Sequence, residues 1–223
     1  MNRRQLLISL VVLAVVALGV IGWIMWSSNS SDVTVPDGAT AFNVPLKPTD
    51  RALGNPKAPV TVVEYAAPTC PHCAHFDMTM FPTLKKNYID TGKVYYVFRV
   101  LPLSQVDIGA EAIARCLPAD NYFPFIDLLF RNQSKWDPDG YQIPDVRAAL
   151  LSMAQSAGMS VAQANSCLDN ADAAKAAAAV GEEAQEKYGV NSTPTFLVNG
   201  VVAPPFESAE DVKTYFDKVL AKK

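Results

Sequence analysis

Residues 59–80 read PVTVVEYAAPTCPHCAHFDMTM, and this stretch decides the fold class of the domain. Its first part, Pro59–Tyr65, has the β-branched richness of a short buried strand. After Cys70, apolar residues recur about every fourth position from Phe76 onwards, which predicts an amphipathic helix. A second apolar strand is predicted over Lys93–Val100. Strand, helix and strand form a βαβ unit, whose functional loop is expected at the carboxyl end of the first strand.

Helical patterns dominate the middle of the chain, and strand character returns only near the C-terminus. The predicted helices run from Ser104 to Cys116, from Asn121 to Arg131, from Pro144 to Ala157, from Ser160 past Cys167, and from Ala171 to Tyr188. Thr195–Val202 contains the turn pair Asn199-Gly200, which predicts a hairpin, and a last helix is expected over Ser208–Leu220. This order predicts an α/β domain with a large helical insertion at about residues 104–188.

The N-terminus has the pattern of a membrane anchor. Leu6–Trp26 is an apolar run without charge, about the twenty residues that a helix needs to cross roughly 30 Å of hydrocarbon. Because Arg3 and Arg4 precede the run and the next cation is Lys47, the N-terminus is expected to stay in the cytoplasm. We therefore predict one transmembrane helix within residues 1–26 and a translocated domain. In a bacterium this arrangement is a single-pass protein of the inner membrane with its domain in the periplasm.

A cleaved signal peptide is the alternative, and it would leave a periplasmic protein without an anchor. The apolar run is long for a signal peptide, and no Ala-x-Ala cleavage site follows it. Residues 27–45 are rich in Ser, Asp, Thr and Pro, which is typical of a linker. The domain is therefore expected to occupy residues 46–223.

Composition excludes several classes of function. A chain of 223 residues has room for one ordinary domain with an appendage. The formal net charge of −3 provides no basic surface, so no nucleic-acid partner is expected. No glycine-rich phosphate loop and no Ser–His–Asp set stands out, and we predict no cofactor. The four cysteines remain as candidates for thiol and disulfide chemistry, since disulfides persist in an oxidising compartment.

The motif Cys70-Pro71-His72-Cys73 opens the predicted helix. A thiolate at a helix N-terminus is stabilised by the positive end of the helix dipole, and the spacing keeps the second sulfur within bonding reach. His72 is expected to stabilise the Cys70 thiolate by charge or by a hydrogen bond. Because a stabilised thiolate favours the dithiol over the disulfide, the disulfide form should be a strong oxidant.

A metal site is the competing interpretation of this motif. Cys70, His72, Cys73 and His75 are four potential zinc ligands, but they lie within six consecutive residues. One helical turn can hardly place four ligands tetrahedrally around one ion. A c-type haem site is excluded because Ala74, not histidine, follows the second cysteine. The pattern favours a redox motif, and we expect His75 to be a solvated residue of the helix.

The chain resembles the DsbA family of periplasmic thiol:disulfide oxidoreductases, which have the thioredoxin fold. The resemblance extends from about residue 50 to the C-terminus. It is carried by Leu53-Gly54-Asn55-Pro56, Val63-Glu64-Tyr65, the Cys70–Cys73 motif, Pro82 in the first helix, the helical insertion, and Ser192-Thr193-Pro194 before a strand.

The resemblance implies roles for individual residues. Cys70 would be the nucleophile, and Cys73 would resolve the mixed disulfide. Pro194 would follow a cis peptide bond and pack against the active disulfide, while the backbone of Thr193 pairs with a substrate peptide. Glu64 would be a buried carboxyl group that helps to move the proton of Cys73, with a pKa raised by desolvation.

Cys116 and Cys167 lie in the helical insertion, outside the redox motif. In an oxidising compartment they are predicted to form a structural disulfide, which would close a loop of about fifty residues and stabilise the fold by roughly 4 kcal/mol. A second redox couple and two free buried thiols are the alternatives.

The sequence thus predicts a thioredoxin fold with a large helical insertion, preceded by one N-terminal transmembrane helix. Its expected activity is the donation of the Cys70–Cys73 disulfide to exported thiol-containing proteins. The resemblance also implies reoxidation by a DsbB-like membrane quinone reductase. A disulfide isomerase or reductase is one alternative, because Thr193 resembles isomerase-like relatives whereas many oxidases carry Val there. A copper- or zinc-handling thiol protein is the other.

Overall fold

The computed structural model describes residues 41–222. The predicted anchor within residues 1–26 and most of the predicted linker lie outside this range. Among the described residues, no helix combines the length and the apolar character needed to cross a membrane.

The described chain follows the predicted order of a βαβ unit, a helical block, a hairpin and a last helix, and it has one further short strand, Arg51–Leu53, that the sequence does not predict. The strands are β1 Arg51–Leu53, β2 Val60–Ala66, β3 Val94–Val100, β4 Thr195–Val198 and β5 Val201–Val202. The α-helices are α1 Pro71–Thr79, α2 Phe81–Leu84, α3 Gln105–Cys116, α4 Tyr122–Arg131, α5 Gln133–Trp136, α6 Val146–Ser156, α7 Val161–Leu168, α8 Ala171–Tyr188 and α9 Ala209–Ala221, with a π-helix at Lys85–Ile89 and a 3-10 turn at Ala119–Asn121.

The strands form one sheet in the order β1-β3-β2-β4-β5. Strand β2 lies at its centre, parallel to β3 and antiparallel to β4. Apart from the half-buried Thr61, every residue of β2 is buried, as expected for a central strand covered on both faces. The carboxyl end of β2 therefore leads into α1, and the cysteine motif lies at this junction.

The first helix is interrupted near Pro82. Helix α1 ends at Thr79, and α2 begins at Phe81 with Pro82 in its first turn. Proline has no N–H to donate and its ring clashes with the preceding turn, so it is tolerated only near a helix start.

The helical insertion is confirmed with small shifts. Ser104 and Ser160 each cap a helix with a reciprocal capping box. Helix α8 spans the predicted Ala171–Tyr188 and ends at Gly189, whose φ of +63° suits glycine. The predicted place of Pro144 in a first turn is wrong. Asp145 is the N-cap of α6, because its side chain accepts a hydrogen bond from the Ala148 N–H, so Pro144 precedes the helix.

The segment before β1 packs on the domain, although the sequence assigns part of it to the linker. The Phe42 N–H donates to the carbonyl of Gly200 at 2.9 Å, and its ring contacts Tyr188 edge-on. A side chain at Gly200 would collide with the Phe42 backbone. Pro45 is held by the buried Arg99, which donates to its carbonyl at 2.7 Å. The linker predicted up to residue 45 is therefore too long.

Cys116 and Cys167 form a disulfide across 51 positions of sequence. It joins the end of α3 to α7 within the insertion. A loop of that length corresponds to a stabilisation of about 4 kcal/mol relative to the open chain.

Candidate active site

Cys70 is the N-cap of α1, and Pro71 occupies the first helical position. Both cysteines of the motif are present as free thiols. Cys70 retains 5% of its surface in contact with solvent, whereas Cys73 has none. The site therefore presents one reactive sulfur to a partner and keeps the second beneath it.

The surroundings of Cys70 favour its thiolate, and its pKa falls to about 5. The largest cause is a hydrogen bond from the Cys73 thiol, which outweighs the opposing effect of burial. The Thr193 hydroxyl and the backbone N–H groups of Cys73 and His72 lower the pKa further. Cys70 is thus ionised at neutral pH and is the better nucleophile of the pair.

The pKa of Cys73 moves in the opposite direction, well above its ordinary value. Burial is the main cause, and the hydrogen bond to Cys70, the negative charge of Cys70 and the charge of Glu64 when it is ionised add to it. Cys73 is therefore a poor nucleophile until a base removes its proton. This asymmetry matches the predicted division of roles between an attacking and a resolving cysteine.

The Thr193–Pro194 peptide bond is cis. Thr193 lies next to the motif, with its carbonyl oxygen 3.4 Å from Cys70 Sγ. A cavity of about 310 Å³ lies beside Thr193 and Pro194. Its walls include His72, His75, Phe76, Met80, Phe196 and Phe206.

Glu64 lies on the central strand and is 2% exposed. Its Oε2 accepts a hydrogen bond of 2.5 Å from the hydroxyl of Tyr96, on the neighbouring strand. Burial raises the pKa of Glu64 to about 8, although the Tyr96 hydrogen bond opposes the rise. At neutral pH the carboxyl group holds its proton, and its ionisation would raise the pKa of Cys73 further.

Stabilisation of the Cys70 thiolate by the His72 imidazole stays a prediction. The His72 side chain is exposed, and the backbone N–H of this residue lowers the pKa of Cys70. Helix geometry supplies that N–H whatever the side chain is. His75 is exposed, as expected for a solvated residue.

Two buried polar residues of the insertion hold the loop before Cys70, and the sequence did not identify this function. Asp107 accepts hydrogen bonds from the Thr69 backbone and hydroxyl at 2.9 and 3.0 Å. Gln133 donates from its side-chain amide to the carbonyls of Pro68 and Cys70 at 2.9 and 3.1 Å. No sequence pattern connects Asp107 to a loop 38 positions earlier, and a buried glutamine in a short helix leaves no pattern either.

The comparisons with known proteins agree with this geometry. The family model described as thioredoxin matches residues 46–218. A relative from Rickettsia felis, named as a protein-disulfide oxidoreductase, is 32% identical over 87% of this chain and 72% of its own length. The chain belongs to the DsbA-like thioredoxin family. It is a thiol:disulfide oxidoreductase of the dithiol–disulfide exchange type, and Cys70 and Cys73 are the cysteines placed for that exchange.

A further relative and a solved structure also match most of the chain. A Bacillus cereus relative, named as disulfide bond formation protein D, is 32% identical over the full length of both chains. The crystal structure of Wolbachia pipientis α-DsbA1 superposes with a TM-score of 0.73 and 29% identity, over 81% of this chain and 94% of that one. The chain spans between 60% and 73% of the length of the Rickettsia relatives.

Proposed function

We propose that this protein is an oxidase that donates the Cys70–Cys73 disulfide to exported proteins during their folding. The observation that carries the proposal is the pKa of about 5 for Cys70, beside a buried Cys73 whose pKa is raised. Stabilising the Cys70 thiolate stabilises the reduced enzyme, and the disulfide form is correspondingly oxidising.

The exchange proceeds in two steps. A substrate thiolate attacks Cys70 Sγ, so the Cys70–Cys73 bond breaks and Cys73 leaves with the electron pair and takes up a proton. A second substrate thiolate then attacks the substrate sulfur of the mixed disulfide and expels Cys70 as a thiolate. The substrate gains a disulfide and the enzyme becomes a dithiol. Since a thiol of low pKa leaves readily, Cys70 is suited to the second step.

The proposal includes a location and a partner. The apolar run Leu6–Trp26 would hold the protein in the inner membrane of a bacterium, with the domain in the periplasm. If the run is removed as a signal peptide, the protein is periplasmic. A DsbB-like quinone reductase in the same membrane would reoxidise the dithiol. The bacterial relative named for disulfide bond formation supports the activity that this location and partner would serve.

Equilibration with glutathione tests the direction of the reaction. We expect a reduction potential nearer to the value of about −120 mV for DsbA than to about −270 mV for thioredoxin. The oxidised protein should also introduce a disulfide into a reduced, unfolded two-cysteine protein at stoichiometric amounts. A potential close to that of thioredoxin, with no transfer of the disulfide, would favour a reductase or isomerase.

The metal-handling alternative has a separate test. Within residues 41–222, no group of three or more His, Cys, Asp or Glu side chains converges as a metal site would require. Metal analysis of the dithiol protein after incubation with zinc or with copper(I) should give less than one bound ion per chain. Stoichiometric binding that blocks alkylation of Cys70 would support the alternative.

A further inference from the structure

Tyr96 separates the buried Glu64 from a large cavity. The Tyr96 hydroxyl donates to Glu64, and the same side chain forms part of the wall of a cavity of about 760 Å³. Phe81, Phe98 and Phe123 form much of the apolar wall. Its lining also includes Lys85, whose side chain is 46% exposed, so the cavity reaches solvent at that side.

Asp77 faces the same cavity, one helical turn after Cys73. Its Oδ2 atom is buried and has no hydrogen-bond partner. From α4, Asp127 hydrogen-bonds to Asp77 and Arg131 lies nearby, and Arg131 donates to both oxygens of Asp127 at 2.7 and 2.9 Å. Burial and the charge of Asp127 raise the pKa of Asp77 to about 7, although Arg131 opposes the rise.

The remaining charged groups around the cavity lie on its other walls. They are Asp50 and Arg51 at β1, Lys85 in the π-helix, and Asp120 in the 3-10 turn. From β2 and β3, Glu64 and Tyr96 interact electrostatically with Asp77. Asp77 is therefore a carboxyl group that lies between the buried redox site and the water of the cavity.

We propose that protons move between Glu64 and solvent through Tyr96 and Asp77, by way of this cavity. The proposal rests on the proposed function, because it concerns the proton that Cys73 takes up or releases in each exchange. Tyr96 and Asp77 act through Glu64 and do not touch the reacting sulfur atoms.

Each proton is accounted for in both directions. When the Cys70–Cys73 bond breaks, Cys73 leaves as a thiolate and takes the proton of Glu64. The Glu64 carboxylate then takes the Tyr96 hydroxyl proton while Tyr96 receives one from Asp77 through water in the cavity that both side chains line, and Asp77 recovers its proton from solvent. When Cys73 later attacks a mixed disulfide on Cys70, its proton leaves along the same groups in reverse. No external oxidant is needed for the transfer itself.

Single-turnover kinetics of the full-length chain test the route. The dithiol protein is mixed with oxidised glutathione and quenched with acid, so that formation of the Cys70 mixed disulfide and its resolution by Cys73 are timed separately. Positioned proton transfer contributes about 10²–10⁴-fold to a rate, and we expect Tyr96→Phe and Asp77→Asn to slow resolution by about tenfold or more at pH 7. Formation of the mixed disulfide should keep its rate, because it depends on the Cys70 thiolate.

The decisive measurement is the rate of resolution with imidazole added at constant ionic strength. As a small proton carrier it should enter the cavity and restore resolution in both variants, and a purely structural defect would not respond. Tyr95→Phe and Asp120→Asn are matched controls, since Tyr95 packs on the opposite face of β3 and Asp120 lines the cavity from the 3-10 turn. Both controls should resolve at the rate of the wild-type chain, with or without imidazole.

Resolution at the wild-type rate in Tyr96→Phe and Asp77→Asn would overturn the route, as would slow resolution that imidazole does not restore. If Tyr96→Phe does not fold, Asp77→Asn alone decides the outcome. A wild-type chain that fails to react with glutathione would contradict the oxidoreductase function itself, and with it this proposal.

Discussion

The carboxylate of Asp107 accepts two hydrogen bonds from Thr69, the residue that precedes the nucleophilic cysteine. It also accepts from the backbone N–H groups of Leu103 and Ser104, at 2.9 and 3.1 Å. One fully buried side chain therefore connects the active-site loop to the start of the helical insertion. This explains how an insertion far from Cys70 in sequence contributes to the geometry of the site.

Asp107→Ala is expected to destabilise the protein. Hydrogen bonds to a charged group contribute about 1.5–3 kcal/mol each, and the cost of burying the carboxylate offsets part of their sum, so we expect a loss of at least about 3 kcal/mol in the free energy of unfolding. Urea unfolding of the dithiol form measures it. Asp120→Ala, at an exposed position, is the control and should change the free energy by less than about 0.5 kcal/mol. Equal stability of the two variants would contradict the structural role of Asp107.

The thiolate of Cys70 should be visible in the pH dependence of alkylation. With a pKa of about 5, the rate should rise through that pH and level off by pH 7, and Cys73 should stay unmodified. His72→Ala keeps the backbone N–H, so the Cys70 pKa should stay below 7. A return to the ordinary thiol range near 9 would show that the imidazole stabilises the thiolate.

The low pKa of Cys70 also affects the stability of the folded dithiol form. In the unfolded chain the thiol of Cys70 ionises near its ordinary pKa of 9.0, whereas the folded dithiol ionises near 5. A depressed folded pKa adds stability that is complete above the unfolded value and is lost as the pH falls through the folded value. The dithiol form should therefore gain stability over the disulfide form between about pH 5 and 9. Parallel unfolding of both forms across this range measures the gain.

The fold and the cysteine motif could be predicted because their signals are local. A β-branched run, a CxxC motif and the caps at Ser104 and Ser160 are each read from a few adjacent residues. The hydrogen bonds of Asp107 and Gln133 to the loop before Cys70 span 38 to 65 positions of sequence. They depend on tertiary packing, which the hydrophobic periodicity of the sequence does not indicate.

The partner of Glu64 was missed for a related reason. Tyr96 comes within hydrogen-bond distance only through the register in which β2 pairs with β3. The linker boundary was misplaced because the contacts of Phe42 and Pro45 are with residues more than fifty positions away. The exposure of the His72 side chain follows from its rotation around α1, which the motif alone does not specify.

The Cys116–Cys167 disulfide should be structural. Replacing both residues by Ala should lower the free energy of unfolding by about 4 kcal/mol, because the open loop regains its conformational entropy. The alkylation profile of Cys70 should remain unchanged in this variant. A shift in the reduction potential of the active site, with little loss of stability, would instead support a second redox couple.

The membrane anchor is tested by fractionation of cells that express the full-length chain. An uncleaved helix within residues 1–26 should keep the protein in the membrane fraction after a carbonate wash. Deleting residues 1–26 in favour of a cleavable signal peptide should release the domain and serve as the control. Mature protein whose N-terminus begins near residue 27 would show that the segment is a signal peptide.

Glu64 should lower the stability of the fold at neutral and alkaline pH, although it serves the reaction. In the unfolded chain it ionises near 4.5, and in the fold it retains its proton up to about pH 8. The folded state therefore binds more protons between these values, and stability falls as the pH rises through them. Glu64→Gln removes this loss and should raise the free energy of unfolding by about 2–4 kcal/mol at pH 8.

The Glu64→Gln variant should also slow the attack of Cys73 on a mixed disulfide, because no carboxylate is left to accept its proton. Glu182→Gln, at an exposed position, should change neither quantity. A Glu64→Gln protein that is no more stable at pH 8 than at pH 5, relative to the wild-type chain, would contradict the raised pKa of Glu64.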